Sequence, residues 1–193
     1  MNNKKVNLFI DTSQASCNLA IFNNGKIVKK SSCLTHNNLT DIVVEKIAKL
    51  SSGYEISNIY ITNGPGSFTG QRVSCLIAKS WMIIKKINVY TINTLTFQLK
   101  DLNGISIIDA KSNRSYVSVY KNTKCLLQPR IVFNAQLEQI KNKYKNLKVY
   151  ENYKDINVFN NLLSLTNIFK KANTINEITP KYLKEAIYDQ KNR

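Results

Sequence analysis

Histidine is almost absent from the 193-residue sequence, which contains one, His36. A zinc site needs three or four nitrogen or sulfur ligands, and the four cysteines include no C-x-x-C pair, so we expect no metal and no cofactor. Three prolines and six glycines exclude collagen-like and linker-dominated chains. No apolar run approaches the roughly 20 residues of a membrane span. We therefore expect no membrane segment.

The first residues carry lysines followed by a short apolar stretch that ends at Asp11. This stretch is too short for a secretory signal peptide, so the sequence favours a cytoplasmic protein. A hydrophobic content of 43% is enough to build a packed core, which excludes a wholly disordered chain.

Acidic residues are scarce, with 12 Asp and Glu against 28 Lys and Arg, and the formal net charge is +16. The positive excess is the same in residues 1–100 as in residues 101–193, so no basic block stands out. The charge is compatible with a solvated basic surface and also with contacts to tRNA or other RNA. Composition alone does not choose between the two.

The first half of the sequence alternates between strand and helix patterns. Asn23-Asn24-Gly25 predicts a hairpin turn between two of the three opening strands. From Asn38 to Leu50 the apolar residues repeat with a helical period, and a second helix is expected to continue to about Lys86. The predicted order is three strands, helix, strand, helix and strand, which resembles a ribonuclease-H-like lobe.

The second half begins in the same way. Two predicted strands end in an aspartate, at Asp11 and at Asp109, which indicates a degenerate internal duplication. We therefore predict an α/β protein of two tandem ribonuclease-H-like lobes, with the second lobe shortened. The predicted division assigns residues 1–100 to the N-terminal lobe and residues 101–193 to the C-terminal lobe, which includes a closing helix.

The most specific segment of the sequence lies between the fourth strand and the second helix. Its residues are Gly64, Pro65, Gly66, Ser67, Phe68, Thr69, Gly70, Gln71 and Arg72. Glycines at the start of a helix can expose backbone N–H groups, which suits an anion. The alternative is a rigid turn that buries Phe68 and starts the helix. A Walker-type phosphate loop is excluded because no lysine follows the last glycine.

This segment resembles the signature of the bacterial TsaB (YeaZ) family, which takes part in making threonylcarbamoyladenosine (t6A) at position 37 of tRNA. Other segments resemble the family in the same order along the chain. They are Ile10–Ser13, Cys17–Ile21, Thr35–Leu39, Thr91–Leu95, Ile108–Lys111 and Thr179–Lys184. The resemblance is strong to about Tyr120, weak from there to Asn176, and returns at the end.

The resemblance implies the two-lobe fold of actin-like ATPases and sugar kinases without implying their activity. The positions that would correspond to a degenerate nucleotide site are Asp11, Thr12, Ser13 and Asp109. Neither turn after these aspartates has the glycine that lets backbone N–H groups close on a phosphate. The catalytic relative, TsaD, holds its metal with paired histidines, which a chain with one histidine cannot supply.

The resemblance therefore implies a non-catalytic subunit that binds a TsaD-like transferase, works with a TsaE-like ATPase and meets tRNA through the complex. In the family, the first two helices of each partner pair, and the isolated protein can form a homodimer in the same way. The predicted partner interface comprises His36, Leu39, Val43, Ile47, Val73, Leu76 and Ile77. Two alternatives remain open, a small actin-like ATPase or kinase and a stand-alone basic RNA-binding protein.

Overall fold

The computed structural model describes residues 4–35 and 38–183. The strands are β1 Lys4–Asp11, β2 Ser16–Asn23, β3 Lys26–Leu34, β4 Tyr54–Thr62, β5 Asn88–Ile92, β6 Gly104–Asp109, β7 Arg114–Lys121, β8 Lys124–Phe133, β9 Val149–Glu151 and β10 Lys170–Ala172. The helices are α1 Leu39–Ser51, α2 Phe68–Lys85, α3 Thr94–Phe97, α4 Asn134–Lys143 and α5 Val158–Leu165, and a 3-10 turn covers Ile175–Glu177. His36 and residues 184–193, where the closing helix was expected, lie outside the described residues.

The first sheet has six strands in the order β10-β5-β4-β1-β2-β3. Strands β1, β4 and β5 run parallel, whereas β2 and β3 continue from β1 as an antiparallel meander. The predicted hairpin turn is confirmed, because Asn24 and Gly25 have positive φ angles of 48° and 69°. Helices α1 and α2 pack on one face of this sheet over a shared apolar core that includes Leu8, Ile10 and Ile61.

The second sheet has four strands in the order β8-β7-β6-β9. Strands β6, β7 and β8 form an antiparallel meander, and β9 runs parallel to β6. Helix α4 packs near this sheet through the buried side chain of Leu137. The two lobes therefore begin alike, with a meander, a helix and a parallel strand, as the predicted duplication requires.

The chain returns to the first lobe before it ends. Helix α5 buries Leu162 and Leu165 against Phe9 and Phe97. Strand β10 then pairs antiparallel with β5 and forms an edge of the first sheet. The division into residues 1–100 and 101–193 stays a prediction, but the six-stranded sheet uses residues from both parts.

Helix α1 buries the apolar stripe that its sequence pattern indicates, whereas helix α2 buries mainly small side chains. Helix α2 turns Ser74, Cys75 and Ala78 toward the sheet, whereas Leu76 and Ile84 point outward. Small side chains allow the helix to approach the sheet closely, and hydrophobicity alone does not reveal this. The exposure of Leu76 is compatible with its place in the predicted partner interface, which stays a prediction. Burial raises the pKa of the Cys75 thiol to about 12, as expected for a thiol within a core.

Candidate functional site: the signature loop and the outer face of the second helix

The glycine-rich segment Gly64–Gly70, termed the signature loop below, joins β4 to α2 and lies against the end of β1. A Cβ atom at Gly70 would stand 1.7 Å from the carbonyl oxygen of Thr12, and one at Gly66 would stand 2.1 Å from that of Ser13. No side chain fits at either distance. The glycines are therefore needed for close contact between two backbone segments.

Hydrogen bonds within this contact use several of the polar groups at the start of α2. Ser67 donates its backbone N–H to the carbonyl of Ser13 at 2.7 Å, and its hydroxyl accepts from the N–H of Gly70 at 3.2 Å. Thr12 donates its hydroxyl to the carbonyl of Gly70 at 2.7 Å. These bonds favour the rigid-turn interpretation over an open anion site. That interpretation was wrong about Phe68, whose side chain is 56% exposed.

Asp11 ends β1 directly behind the signature loop and is fully buried. Its Oδ1 atom accepts hydrogen bonds from the N–H of Ser13 at 3.0 Å, from the hydroxyl of Ser13 at 2.6 Å and from the hydroxyl of Thr62. Its Oδ2 atom has no hydrogen-bond partner among the described residues. Burial raises the pKa of Asp11 above its ordinary value, and the hydrogen bonds from Ser13 and Thr62 oppose that shift only in part.

Tyr153 is buried close to Asp11. The hydroxyl of Tyr153 has no hydrogen-bond partner among the described residues, and burial together with the Asp11 carboxylate raises the pKa of Tyr153. The neighbouring Asn152 accepts a hydrogen bond from the N–H of Asp109 at 2.7 Å. Residues 152 and 153 thus lie at the ends of both aspartate-terminated strands.

Asp109 differs from Asp11 in its surroundings. It is exposed and accepts hydrogen bonds from the backbone N–H and the ammonium group of Lys111, at 2.8 and 2.7 Å. The hydrogen bond from the Lys111 side chain lowers the pKa of Asp109. The two strand ends therefore carry one buried carboxyl group, which has no cationic partner in the described part of the chain, and one exposed carboxylate paired with Lys111.

The C-terminal segment docks on the signature loop. Lys181 donates its N–H to the carbonyl of Asn63 at 2.7 Å, and the Asn63 amide donates to the carbonyl of Thr179 at 3.2 Å. The Arg72 guanidinium lies 3.7 Å from the centre of the Phe68 ring and donates to the Tyr182 hydroxyl at 2.9 Å. Two segments that resemble the TsaB family and lie about 110 residues apart in sequence are thus in direct contact.

An exposed apolar surface runs along α2 from this cluster. Phe68, Leu76, Ile83 and Ile84 are 56%, 66%, 60% and 77% exposed, and Val73 and Ile77 beside them are half-buried. These six residues are termed the α2 apolar face. Leu76, Ile83 and Ile84 lie on the side of the helix away from Cys75 and Ala78, whereas Val73 and Ile77 also pack against the core beneath the helix.

Three residues predicted for the partner interface lie elsewhere. Leu39, Val43 and Ile47 are buried in the core between α1 and the first sheet, so the prediction that they contact a partner was wrong. Their helix has one apolar stripe, and the sheet already covers it. On α1 the exposed apolar side chain is instead Val44, at 57%.

Tyr153 and Tyr182 were missing from the predicted site. Tyr153 lies in the part of the sequence where the family resemblance is weak, and no local pattern marks it. Tyr182 lies in a segment that resembles the family, and its spacing after Pro180 is the signal that could have identified it.

Within residues 4–35 and 38–183, no group of three or more His, Cys, Asp or Glu side chains is arranged to hold a metal. No helix in the same residues is long and apolar enough to cross a membrane.

The fold and the signature loop define a class of protein with two tandem ribonuclease-H-like lobes, the architecture of actin-like ATPases and sugar kinases. The family model described as TsaD, tRNA N6-adenosine threonylcarbamoyltransferase, matches residues 35–155. The structure of YeaZ from Pseudomonas aeruginosa superimposes with a TM-score of 0.68 at 14% identity, covering 93% of this chain and 100% of that one.

Two curated relatives also match this chain over most of their length. The uncharacterized protein MG208 of Mycoplasma genitalium is 30% identical over 197 residues, covering 95% of this chain and 97% of the relative. The tRNA threonylcarbamoyladenosine biosynthesis protein TsaB of Buchnera aphidicola is 27% identical over 179 residues, covering 82% and 79%. The chain belongs to the TsaD family and, within it, to the TsaB (YeaZ) proteins.

Proposed function

We propose that this chain is a cytoplasmic, non-catalytic subunit of the machinery that makes t6A in tRNA, and that it binds a TsaD-type transferase through the α2 apolar face. The observation that carries the proposal is the exposure of that face beside the signature loop. The name of the Buchnera relative and the matching family model support the pathway.

The α2 apolar face has the properties of a protein-binding surface. Leu76, Ile83 and Ile84 are large aliphatic side chains, and each has more than half of its surface in water. Contiguous exposed apolar patches are rare on monomers and often mark sites of interaction. Covering such side chains contributes about 25 cal/mol for each Å² of apolar surface removed from water.

The site around Asp11 supports a partner role over catalysis. The Thr12 hydroxyl donates to the Gly70 carbonyl, the Ser13 N–H donates to Asp11, and Tyr153 is buried near the carboxyl group. An actin-like ATPase needs backbone N–H groups and a carboxylate that face the nucleotide. Here those groups bond within the protein.

The proposal extends to the other partners expected from the sequence. A TsaE-type ATPase would join the complex, and tRNA would be bound mainly by the assembled subunits. In the absence of the transferase, two copies of this chain could cover each other's α2 apolar face as a homodimer. Binding of the transferase and self-association would then compete for one surface.

The test is co-purification with the tagged TsaD-type transferase of the same organism. We expect the wild-type chain to be retained and the Leu76→Asp variant to be lost, because an unpaired carboxylate would be buried in the complex. Leu34→Asp is the matched control, since Leu34 is 72% exposed on β3, the edge strand of the first sheet that lies opposite β10.

Circular dichroism would show that both variants are folded. Retention of a folded Leu76→Asp variant at the wild-type level would contradict the proposed surface. Steady-state hydrolysis of ATP by the pure chain would contradict the non-catalytic role.

A further inference from the structure

The helix that bears the α2 apolar face carries positive charge and no negative charge. From Phe68 to Lys86 the chain contains Arg72, Lys79, Lys85 and Lys86, and it contains no Asp or Glu. Among the described residues, no acidic side chain lies within ion-pair distance of these four cations. The surface that is proposed to bind a partner is therefore apolar and basic at the same time.

Two of these cations lie among the exposed apolar side chains. Arg72 precedes Leu76 by four residues and Lys79 follows it by three, and both spacings place side chains on the same side of a helix. Ile83 lies one further turn along, four residues after Lys79. A partner that covers Leu76 and Ile83 must therefore also approach the Lys79 ammonium group.

A fifth cation comes from the C-terminal segment. Burial raises the pKa of the Cys75 thiol, and the ammonium groups of Lys79 and Lys181 oppose that rise, so both of them lie near this thiol. Lys181 is held in place by the hydrogen bond from its N–H to the carbonyl of Asn63 at 2.7 Å. The positive potential of α2 therefore extends onto the segment that docks beside it.

These charges distinguish between the two partners that could cover this face. In a two-fold homodimer the same surface occurs on both sides, so the cations of one copy face those of the other. Like charges that meet across an interface weaken association, whereas opposite charges speed it. A partner that carries carboxylates around an apolar centre would therefore bind faster and more tightly than a second copy of this chain.

We propose that the α2 apolar face selects a partner whose contact surface is apolar at its centre and acidic around it, and that the same cations disfavour pairing of two copies of this chain. The proposal rests on the proposed function, because it takes the transferase as the acidic partner. Attraction of one partner and repulsion of a competitor together produce specificity.

Opposite responses to salt test this proposal. Biolayer interferometry measures the association rate of the full chain with the tagged TsaD-type transferase, and sedimentation equilibrium measures the homodimer. Both are followed from about 0.1 M to about 1 M NaCl, because the Debye length falls over that range from about 10 Å to about 3 Å. We expect the association rate with the transferase to fall by about tenfold or more. The dissociation constant of the homodimer should also fall, because salt screens the repulsion between the copies.

The Lys79→Glu variant tests whether the charge acts locally. At the lower salt concentration it should associate with the transferase about threefold or more slowly, because it reverses one charge at the contact. A mixture of Lys79→Glu with wild type should pair more tightly than wild type does with itself. Lys26→Glu is the matched control, since it changes the net charge equally at an exposed position on β3, the edge strand opposite β10. It should behave as wild type does.

The outcomes separate this proposal from the proposed function. Rates with the transferase that do not respond to salt, or equal effects of Lys79→Glu and Lys26→Glu, would contradict the selection by charge, even where Leu76→Asp abolishes binding. Retention of a folded Leu76→Asp variant, or no binding of wild type to the transferase, would contradict the proposed function and this proposal with it. If the wild-type chain stays monomeric at both salt concentrations, the rates with the transferase decide.

Discussion

Arg72, in the first turn of α2, donates its Nε–H to the hydroxyl of Tyr182 at 2.9 Å, across 110 residues of sequence. The same guanidinium stacks on Phe68, whose ring centre lies 5.4 Å from that of Tyr182. The C-terminal segment is thereby held at the beginning of the α2 apolar face. A partner that covers this face would therefore meet Phe68 and Tyr182 next to Leu76.

The first prediction concerns this contact. Replacing Arg72 by Ala removes a hydrogen bond and a cation–π contact that each contribute about 0.5–1 kcal/mol at exposed sites. Opening of the C-terminal segment should become more frequent, and tryptic cleavage after Lys181 should accelerate by about fivefold because it follows the open population. Mass spectrometry of timed digests measures the rate. An unchanged rate, equal to that of the Arg130→Ala control on β8, would show that Arg72 does not hold the segment.

The second prediction concerns the signature loop. Alanine in place of glycine inside a helix normally stabilises a protein by roughly 0.5–1 kcal/mol. At Gly70 the added Cβ would meet the Thr12 carbonyl oxygen, so Gly70→Ala should instead lower the free energy of unfolding by about 2–3 kcal/mol.

The control for this prediction is Gly25→Ala, where the new Cβ would meet nothing within 4 Å. It should cost about 1 kcal/mol, because alanine is strained at the positive φ of that turn. Urea unfolding measures both changes. A Gly70→Ala variant as stable as wild type would contradict the close contact with β1.

The third prediction follows from the buried carboxyl of Asp11. Its folded-state pKa is raised by burial, so the folded protein binds the proton more tightly than the unfolded chain does. Between the unfolded value of 3.8 and the folded pKa, stability therefore falls as the pH rises. The Asp11→Asn variant keeps an Oδ1 acceptor and cannot ionise. Across this window its free energy of unfolding should therefore rise relative to that of wild type by up to about 1.4 kcal/mol per pH unit.

Urea unfolding of both proteins from pH 4 to pH 8 tests this sign. As the pH rises from 4, the unfolding free energy of the Asp11→Asn variant should increase relative to that of wild type. The difference should become constant above the folded pKa of Asp11. A difference that moves in favour of wild type as the pH rises would mean that an ionised Asp11 stabilises the fold.

The fourth prediction concerns Tyr153. Tyr153→Phe removes a buried hydroxyl that has no hydrogen-bond partner among the described residues and retains the ring near Phe97. The free energy of unfolding should stay the same or rise by about 1 kcal/mol. Tyr153→Ala also removes the ring and should cost about 2 kcal/mol or more. A large loss in the Phe variant would show that the hydroxyl is bonded in solution.

The opening strands and α1 could be predicted because local patterns determine them. Residues Val6–Ile10 form a short apolar run, Asn24 and Gly25 tolerate positive φ, and the apolar residues of α1 repeat with one helical period. Each of these signals acts over a few residues. The structure confirms the strands, the turn and the helix, although β3 continues to Leu34, beyond the end that the local pattern indicates.

The orientation of α2 could not be predicted because the helix is apolar on two sides. Leu76 and Ile84 are larger and more hydrophobic than Ser74, Cys75 and Ala78, so hydrophobicity alone does not indicate that the smaller residues face the sheet. In the fold, the Gly70–Thr12 contact brings α2 close to β1, and small side chains fit there. The close approach of α2 to β1, two elements that are far apart in sequence, determines which face of the helix is buried.

The last strand and the contents of the site depend on long-range contacts as well. Strand β10 is Lys170-Lys171-Ala172, which has no strand-like alternation of its own, and it forms through pairing with β5. Asp11 was selected from its position at a strand end. The placement of Tyr153 close to it depends on tertiary packing that no local signal encodes.

Formation of t6A in a reconstituted reaction, with tRNA, the TsaD-type transferase and the TsaE-type ATPase of the same organism, tests the central claim most directly. We expect product only when this chain is added, full activity with Leu34→Asp, and a loss of at least about tenfold with folded Leu76→Asp, because an unpaired charge buried at an interface costs several kcal/mol. A folded Leu76→Asp variant that supports the reaction as well as wild type would contradict the account.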